Sequence, residues 1–134
     1  MKKVFVAITL AILCLSIALS FTVNAQQADS WPMFHRDVSH TGYSTATGPN
    51  TNQTLWVFNT NGWVLTSPAV SNGIVYFTSS DKGYFHTSNN NIYALNGKDG
   101  SKIWNYSVSA KIYTSPAVAD GMVFFGSDDK AIYA

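Results

Sequence analysis

The chain has 134 residues, eight basic groups against seven acids, and a formal charge of +1. That length suits one ordinary domain. Charged residues make up only 11%, which excludes the basic footprint of a nucleic-acid binder.

Met1-Lys2-Lys3 is a short positive start, and an apolar run from Val4 to Val23 follows, broken only by Thr9, Ser16, Ser20 and Thr22. Val23-Asn24-Ala25-Gln26 then places compact residues three and one positions before a cut. Residues 1–25 thus have the layout of a secretory signal peptide cleaved after Ala25. The run is also close to the roughly 20 residues of a membrane span, so an uncleaved N-terminal anchor is the rival reading. Both readings export the chain, to the medium, the periplasm or the cell surface. Leu13 precedes Cys14 where a lipoprotein signal needs a small residue, which argues against lipidation. Losing the segment removes Lys2, Lys3 and the single cysteine, leaving six basic groups against seven aspartates, a net of −1. No disulfide or thiolate metal site is then open to the mature chain. Its many aromatic and β-branched residues, with no glutamate at all, favour strands over helices.

Residues 26–54 form a lead segment. Trp31-Pro32-Met33-Phe34-His35-Arg36-Asp37 mixes aromatic and polar groups, and residues 41–53 read as an irregular loop. His35, Asp37 and His40 match no metal-ligand spacing, so a turn or capping role is set against a metal role. Leu55-Trp56-Val57-Phe58 reads as a short strand with a turn over 59–62. Residues 64–70 should be extended, with Pro68 at a strand edge or start where its missing donor is not needed. Asn72-Gly73 suits a type I′ hairpin, whose central positions both take positive φ. Residues 74–77 form an apolar run, the pattern of a strand covered on both faces. Strands over 91–95 and 102–108 flank a turn at 96–101.

The second half repeats the first. Thr66-Ser67-Pro68-Ala69-Val70 recurs 48 residues on as Thr114-Ser115-Pro116-Ala117-Val118. Trp56 maps onto Trp104, Asn72-Gly73 onto Asp120-Gly121, and residues 74–77 onto 122–125 at the same offset. Ile92-Tyr93-Ala94 then maps onto Ile132-Tyr133-Ala134 at an offset of 40. The unit is therefore 40 residues long, and its first copy carries eight extra residues within 83–91. Four short strands per unit of this length make the meander of a β-propeller blade.

These units resemble the repeat of the pyrroloquinoline-quinone (PQQ) type β-propeller superfamily. The matching parts are Ser67-Pro68-Ala69-Val70, Asn72-Gly73, residues 74–79, Ile92-Tyr93-Ala94-Leu95 and Ile103-Trp104. Residues 94–104 fit the spacing of that family's tryptophan-docking motif, Ala-x-Asp-x-x-Thr-Gly-x-x-x-Trp, with Asn96 and Asp99 as departures. Trp31-Pro32-Met33-Phe34 and Thr41-Gly42 also match a segment familiar near its mature N-termini. The resemblance implies an all-β fold of four-stranded antiparallel blades over residues 55–134. One blade spans 64–108 and an incomplete one 111–134, after an N-terminal ring-closing strand. It also implies that Ala94, Gly100 and Trp104 clamp neighbouring blades, with Trp56 joining them by repeat and Ala134 opening a further copy. A blade needs a neighbour on each face. The expectation is thus a fragment of a longer protein, with Trp56 pairing to strands absent from this chain and other blades as its first partners.

Four candidate sites compete with plainer readings. The tryptophans suit a carbohydrate or quinone site, but packing between blades accounts for Trp56 and Trp104, leaving Trp63 open. The insert brings Tyr84, Phe85 and His86 into one loop, and insertions in repeats often map to a binding face; the alternative is an elongated hairpin. Asp81-Lys82 and Asp128-Asp129-Lys130 read as turn residues and offer too few oxygens for calcium. Asn52-Gln53-Thr54 and Asn105-Tyr106-Ser107 match the glycosylation sequon.

Quinoprotein dehydrogenases share the implied fold. They need a glutamate and other oxygens for calcium, a catalytic aspartate and often a vicinal cysteine pair. No position here supplies that chemistry. PQQ and calcium would enter only if missing blades held the site, making this the N-terminal part of such a dehydrogenase. The favoured expectation is an exported, non-catalytic scaffold that binds an extracytoplasmic protein or carbohydrate.

Overall fold

A computed structural model describes residues 30–80 and 90–134. The signal-peptide assignment, Asp81-Lys82 and the loop residues Tyr84, Phe85 and His86 lie outside the described residues. Every described element is a strand or an irregular segment. Strands β1 (Ala69–Ser71), β2 (Ile74–Ser79), β3 (Asn90–Asn96) and β4 (Lys102–Val108) form an antiparallel sheet in that order. Strands β5 (Ala117–Ala119), β6 (Met122–Ser127) and β7 (Ala131–Tyr133) form a second sheet of the same hand-over-hand order. The two sheets are the partial propeller that the repeat implies.

The turns follow from local chemistry. Asn72 and Gly73 have φ of 52° and 73°, and Asp120 and Gly121 have 50° and 77°. Both dipeptides thus make the tight hairpins that need positive φ at each centre. Pro68 and Pro116 sit one residue before β1 and β5. Residues 64–68, expected as part of an extended strand, carry no strand ladder; β1 starts only where the backbone after Pro68 regains its donors.

Side chains alternate between two faces of each sheet. On one face of the first sheet Phe77 pairs with Tyr93, their rings stacked at 5.2 Å and 12°. Phe125 and Tyr133 repeat that stack in the second sheet at 5.1 Å and 11°. The opposite face of the first sheet carries Ile92 and Val108, which pack with Ile112 and Phe125 into the core joining the sheets. Strand β6 repeats the apolar run of 74–77, the pattern of a strand covered on both faces, yet Met122 is 48% exposed and Val123 and Phe124 are only half-buried. The reason is that only one face of the second sheet meets another sheet among the described residues.

The lead segment ties the inner strands together. Trp31 exchanges two backbone hydrogen bonds with Val70 of β1, both 2.7 Å, and the Pro32 carbonyl accepts from Val118 of β5 at 2.7 Å. Val70 and Val118 are repeat counterparts, so one extended dipeptide satisfies the same inner-edge position in both sheets. Ser67 N–H also donates to the hydroxyl of its counterpart Ser115 at 3.1 Å.

Residues 55–58 alternate between exposed and half-buried, as an extended strand does, but find no ladder partner among the described residues. Leu55 and Val57 are 78% and 73% exposed, while Phe58 packs edge-on against Tyr93 at 5.4 Å.

Candidate functional site

The turn after β3 is built from short polar side chains. The Asn96 carboxamide oxygen accepts from Lys98 N–H at 2.9 Å, and an Asp99 carboxylate oxygen accepts from Ser101 N–H at 2.9 Å. These contacts replace the ladder while the chain reverses. They also explain why Asn96 and Asp99 serve where the resembling motif has Asp and Thr. Gly100 closes the turn with φ +71° and donates to the Asn96 carbonyl at 2.9 Å.

That turn is a socket for an indole. Trp56 lies against Gly100 so closely that a Cβ there would stand 2.6 Å from Cδ2 of the ring. The indole N–H donates to the Gly97 carbonyl at 2.9 Å, which satisfies the one polar atom of a large apolar side chain. The glycine supplies both the left-handed backbone and the flat floor, and the bared carbonyl supplies the acceptor.

Trp104 belongs to a second cluster. It pairs across the sheet with buried Ala94, which in turn pairs with Tyr76. The small alanine lets the Tyr76 and Trp104 rings approach to 6.0 Å over it. Trp104, Tyr106, Val123, Tyr133 and Ala134 line a cleft of about 420 Å³ between β4 and the second sheet. The five docking positions therefore fall into two places: Trp56 with Gly100, and Trp104 with Ala94 and Ala134.

Trp63 stands apart from both. Its backbone forms a two-bond bridge with Ser80, at 2.7 and 2.9 Å, and its side chain is 50% exposed. Ser80 immediately precedes residues 81–89, so the bridge fixes an exposed indole at the base of the insert. The neighbouring Gly62 is required here, since a Cβ would lie 2.3 Å from the Ser80 carbonyl oxygen.

The remaining polar candidates are engaged in turns. Asp37 accepts from the N–H groups of Ser39 and Thr41 and from the Thr41 hydroxyl. The Thr41 hydroxyl is the main cause holding its carboxyl below the usual aspartate range. His35 and His40, both at positive φ, flank that turn with rings 6.2 Å apart. Among the described residues no three His, Cys, Asp or Glu side chains converge as a metal site would need. Asp129 accepts from the Tyr133 hydroxyl at 2.6 Å and from Ala131 N–H at 3.2 Å.

Tyr133 chiefly lowers the Asp129 pKa, and Asp129 chiefly raises that of Tyr133. A carboxylate with a lowered folded pKa contributes fully above the ordinary aspartate value near 4 and loses that contribution as pH falls through the folded value. A tyrosine with a raised pKa contributes fully below about 10 and loses it as pH rises through the folded value. The urea midpoint should thus stay level through neutrality and fall on both flanks. Asp129→Asn should reduce both flanks at once, with part of the acid fall persisting because hydrogen bonds from Thr41 and Ser101 also hold Asp37 and Asp99 low. The alkaline fall persists in part, because burial also raises Tyr76 and Tyr93. A variant that changes only the acid flank would separate the two residues.

Sequence reading missed the Gly97 carbonyl, because a main-chain acceptor has no residue signature. It also missed Gly62, although Asn61-Gly62 marks a turn, since the nearby Ser80 backbone is a tertiary neighbour.

Among known proteins, a family model for the outer membrane protein assembly factor BamB matches residues 46–134. No curated protein matches the chain.

Proposed function

The chain belongs to the PQQ-like β-propeller repeat family of the outer membrane protein assembly factor BamB, and from that premise we propose that it is an exported, non-catalytic module that holds a protein or carbohydrate partner on its surface. The family description names an assembly factor, a role of contact with other proteins. Fold alone does not assign an activity, so the reading leans on how individual residues are used. Trp63 carries it. In the second unit its counterpart is Lys111, so the repeat does not need an aromatic group there for packing. An indole half in solvent, fixed by two backbone bonds to Ser80, the residue that precedes in sequence the segment carrying Tyr84, Phe85 and His86, suits recognition.

The chain's carboxylates support the non-catalytic half. Asp37, Asp99 and Asp129 are each bonded by donors of their own turns. The sequence has no glutamate, and its one cysteine, Cys14, lies in the apolar run from Val4 to Val23. No residue of the chain is assigned to PQQ or calcium.

The test presents the immobilised chain with envelope proteins and with soluble oligosaccharides. A variant combining Trp63→Ser, Tyr84→Ser, Phe85→Ser and His86→Ser should lose the species that the unaltered chain retains. Equal retention by both would reduce the insert to a spacer and remove the reading.

A further inference from the structure

We propose that the cleft between the hairpins at 72–73 and 120–121 binds one neutral sugar ring, with Ser71, Asn72, Tyr76 and Asp120 as its hydrogen-bonding groups. The cleft has a volume of about 270 Å³. The lead segment closes one side of it. The Ser30 hydroxyl donates to the Val70 carbonyl at 3.3 Å, and the Pro32 carbonyl accepts from Val118 N–H at 2.7 Å. Bonds to both inner strands thus fix the walls, as in a preformed site. The volume lies below the roughly 300–1,000 Å³ of sites for drug-sized ligands, so it suits a single ring.

The repeat separates the polar groups of this cleft from the needs of the fold. Tyr76 stands where the second unit has Phe124, and Ser71 where it has Ala119. The backbone is the same at both places, since Tyr76 pairs with Ala69 as Phe124 pairs with Ala117. Both hydroxyls are therefore additions to a frame that closes without them. None of the four side chains has a hydrogen-bond partner among the described residues. Tyr76 is half-buried, its ring stands 6.0 Å from that of Trp104, and burial raises its pKa. A hydroxyl drawn partly out of water without a partner carries a cost that a bound hydroxylated ligand removes.

The donor and acceptor set selects the ligand class. Ser71, Asn72 and Tyr76 each donate and accept, while the Asp120 carboxylate only accepts. Sugar hydroxyls do both, so they satisfy such a mixture. Among the described residues no Lys or Arg lines the cleft, and Asp120 repels an anion. One carboxylate also falls short of the oxygen set that calcium takes. The site is separate from Trp63: the six residues of β2 lie between the turn at 72–73 and Ser80, about 20 Å of strand.

Amide NMR of the isotope-labelled chain, titrated with glucose, galactose, mannose and N-acetylglucosamine, tests this. The expected result is saturable shifts at residues 71–76 and 118–121 with at least one of these sugars. The other unit supplies substitutions that the frame already tolerates: Tyr76→Phe, Ser71→Ala and Asp120→Asn. The first two should weaken binding about 2–10-fold each, and the third about 10-fold or more. The variant altered at Trp63 and the insert should titrate as the unaltered chain does, so failure of that surface leaves this site standing. Absence of saturable shifts with all four sugars overturns the proposal, as does binding that the three substitutions leave unchanged. Methylammonium that shifts these amides at lower concentration than any sugar also overturns it, and gives the cleft to a cationic group.

Discussion

Replacing Gly100 by alanine will lower stability by about 2–5 kcal/mol, a large change for a surface turn. Two costs combine. Holding a residue with a Cβ at φ +71° costs about 1–2 kcal/mol of backbone strain. Overpacking a filled contact costs about 1–3 kcal/mol more, and the new methyl would stand 2.6 Å from the Trp56 ring. A double-mutant cycle separates them. With Trp56→Ala already in place the floor of the socket is empty, and Gly100→Ala should cost only the backbone part. The coupling between positions 56 and 100, measured as urea midpoints of the four chains, should then be about 1–3 kcal/mol. Equal costs of Gly100→Ala in both backgrounds would mean that the indole does not rest on that glycine. Gly73 is the control: it has φ +73° but open space around its Cα. Gly73→Ala should behave alike with and without Trp56.

The same comparison shows what the sequence made legible. Hairpins at 72–73 and 120–121 were readable because positive φ is a property of the dipeptide itself. Strand β4 was readable because turn chemistry at 96–101 and the spacing to Trp104 bound it on one side. The stacked pairs Phe77–Tyr93 and Phe125–Tyr133 follow once the period is known, since equal positions in equal units meet equal neighbours. Features that depend on two units meeting were less legible. Strand β6 looks doubly covered from its apolar run, but cover is supplied by a neighbour and not by the run. The socket was half visible: Gly100 and the tryptophan belong to a motif, whereas the Gly97 carbonyl and the floor contact appear only when the turn has folded. Trp63 could be singled out from its place outside the motif, but its position at the base of the insert required the pairing with Ser80.

Ser80 and Ser79 are neighbours with opposite expected responses to alanine. The Ser80 hydroxyl accepts from Ile112 N–H and donates to the Ile112 carbonyl, both at 2.8 Å and both buried. A single side chain thus acts as the pairing partner for one residue's whole peptide complement, and it links the end of β2 to the segment leading into β5. Ser80→Ala leaves two buried backbone groups unpaired, at about 1–3 kcal/mol each, so a loss of about 2–6 kcal/mol is expected. Nothing in the repeat announces this, because the counterpart of Ser80 is Asp128, whose N–H meets the Lys111 carbonyl at 2.9 Å as the Ser80 N–H meets that of Trp63, but which has no hydroxyl to take Ser80's place. The Ser79 hydroxyl is also buried but has no hydrogen-bond partner among the described residues. Removing it should leave stability unchanged or raise it by up to about 1 kcal/mol, since an unpaired buried polar group is itself a cost. Hydrogen exchange adds a local readout. In Ser80→Ala the Ile112 amide should lose protection first, and the second sheet should open below the global transition. In Ser79→Ala the Ile112 amide should exchange as in the unaltered chain. Similar losses from both substitutions would place the stabilising contact in the β2 end itself, and not in the bond it makes across the two sheets.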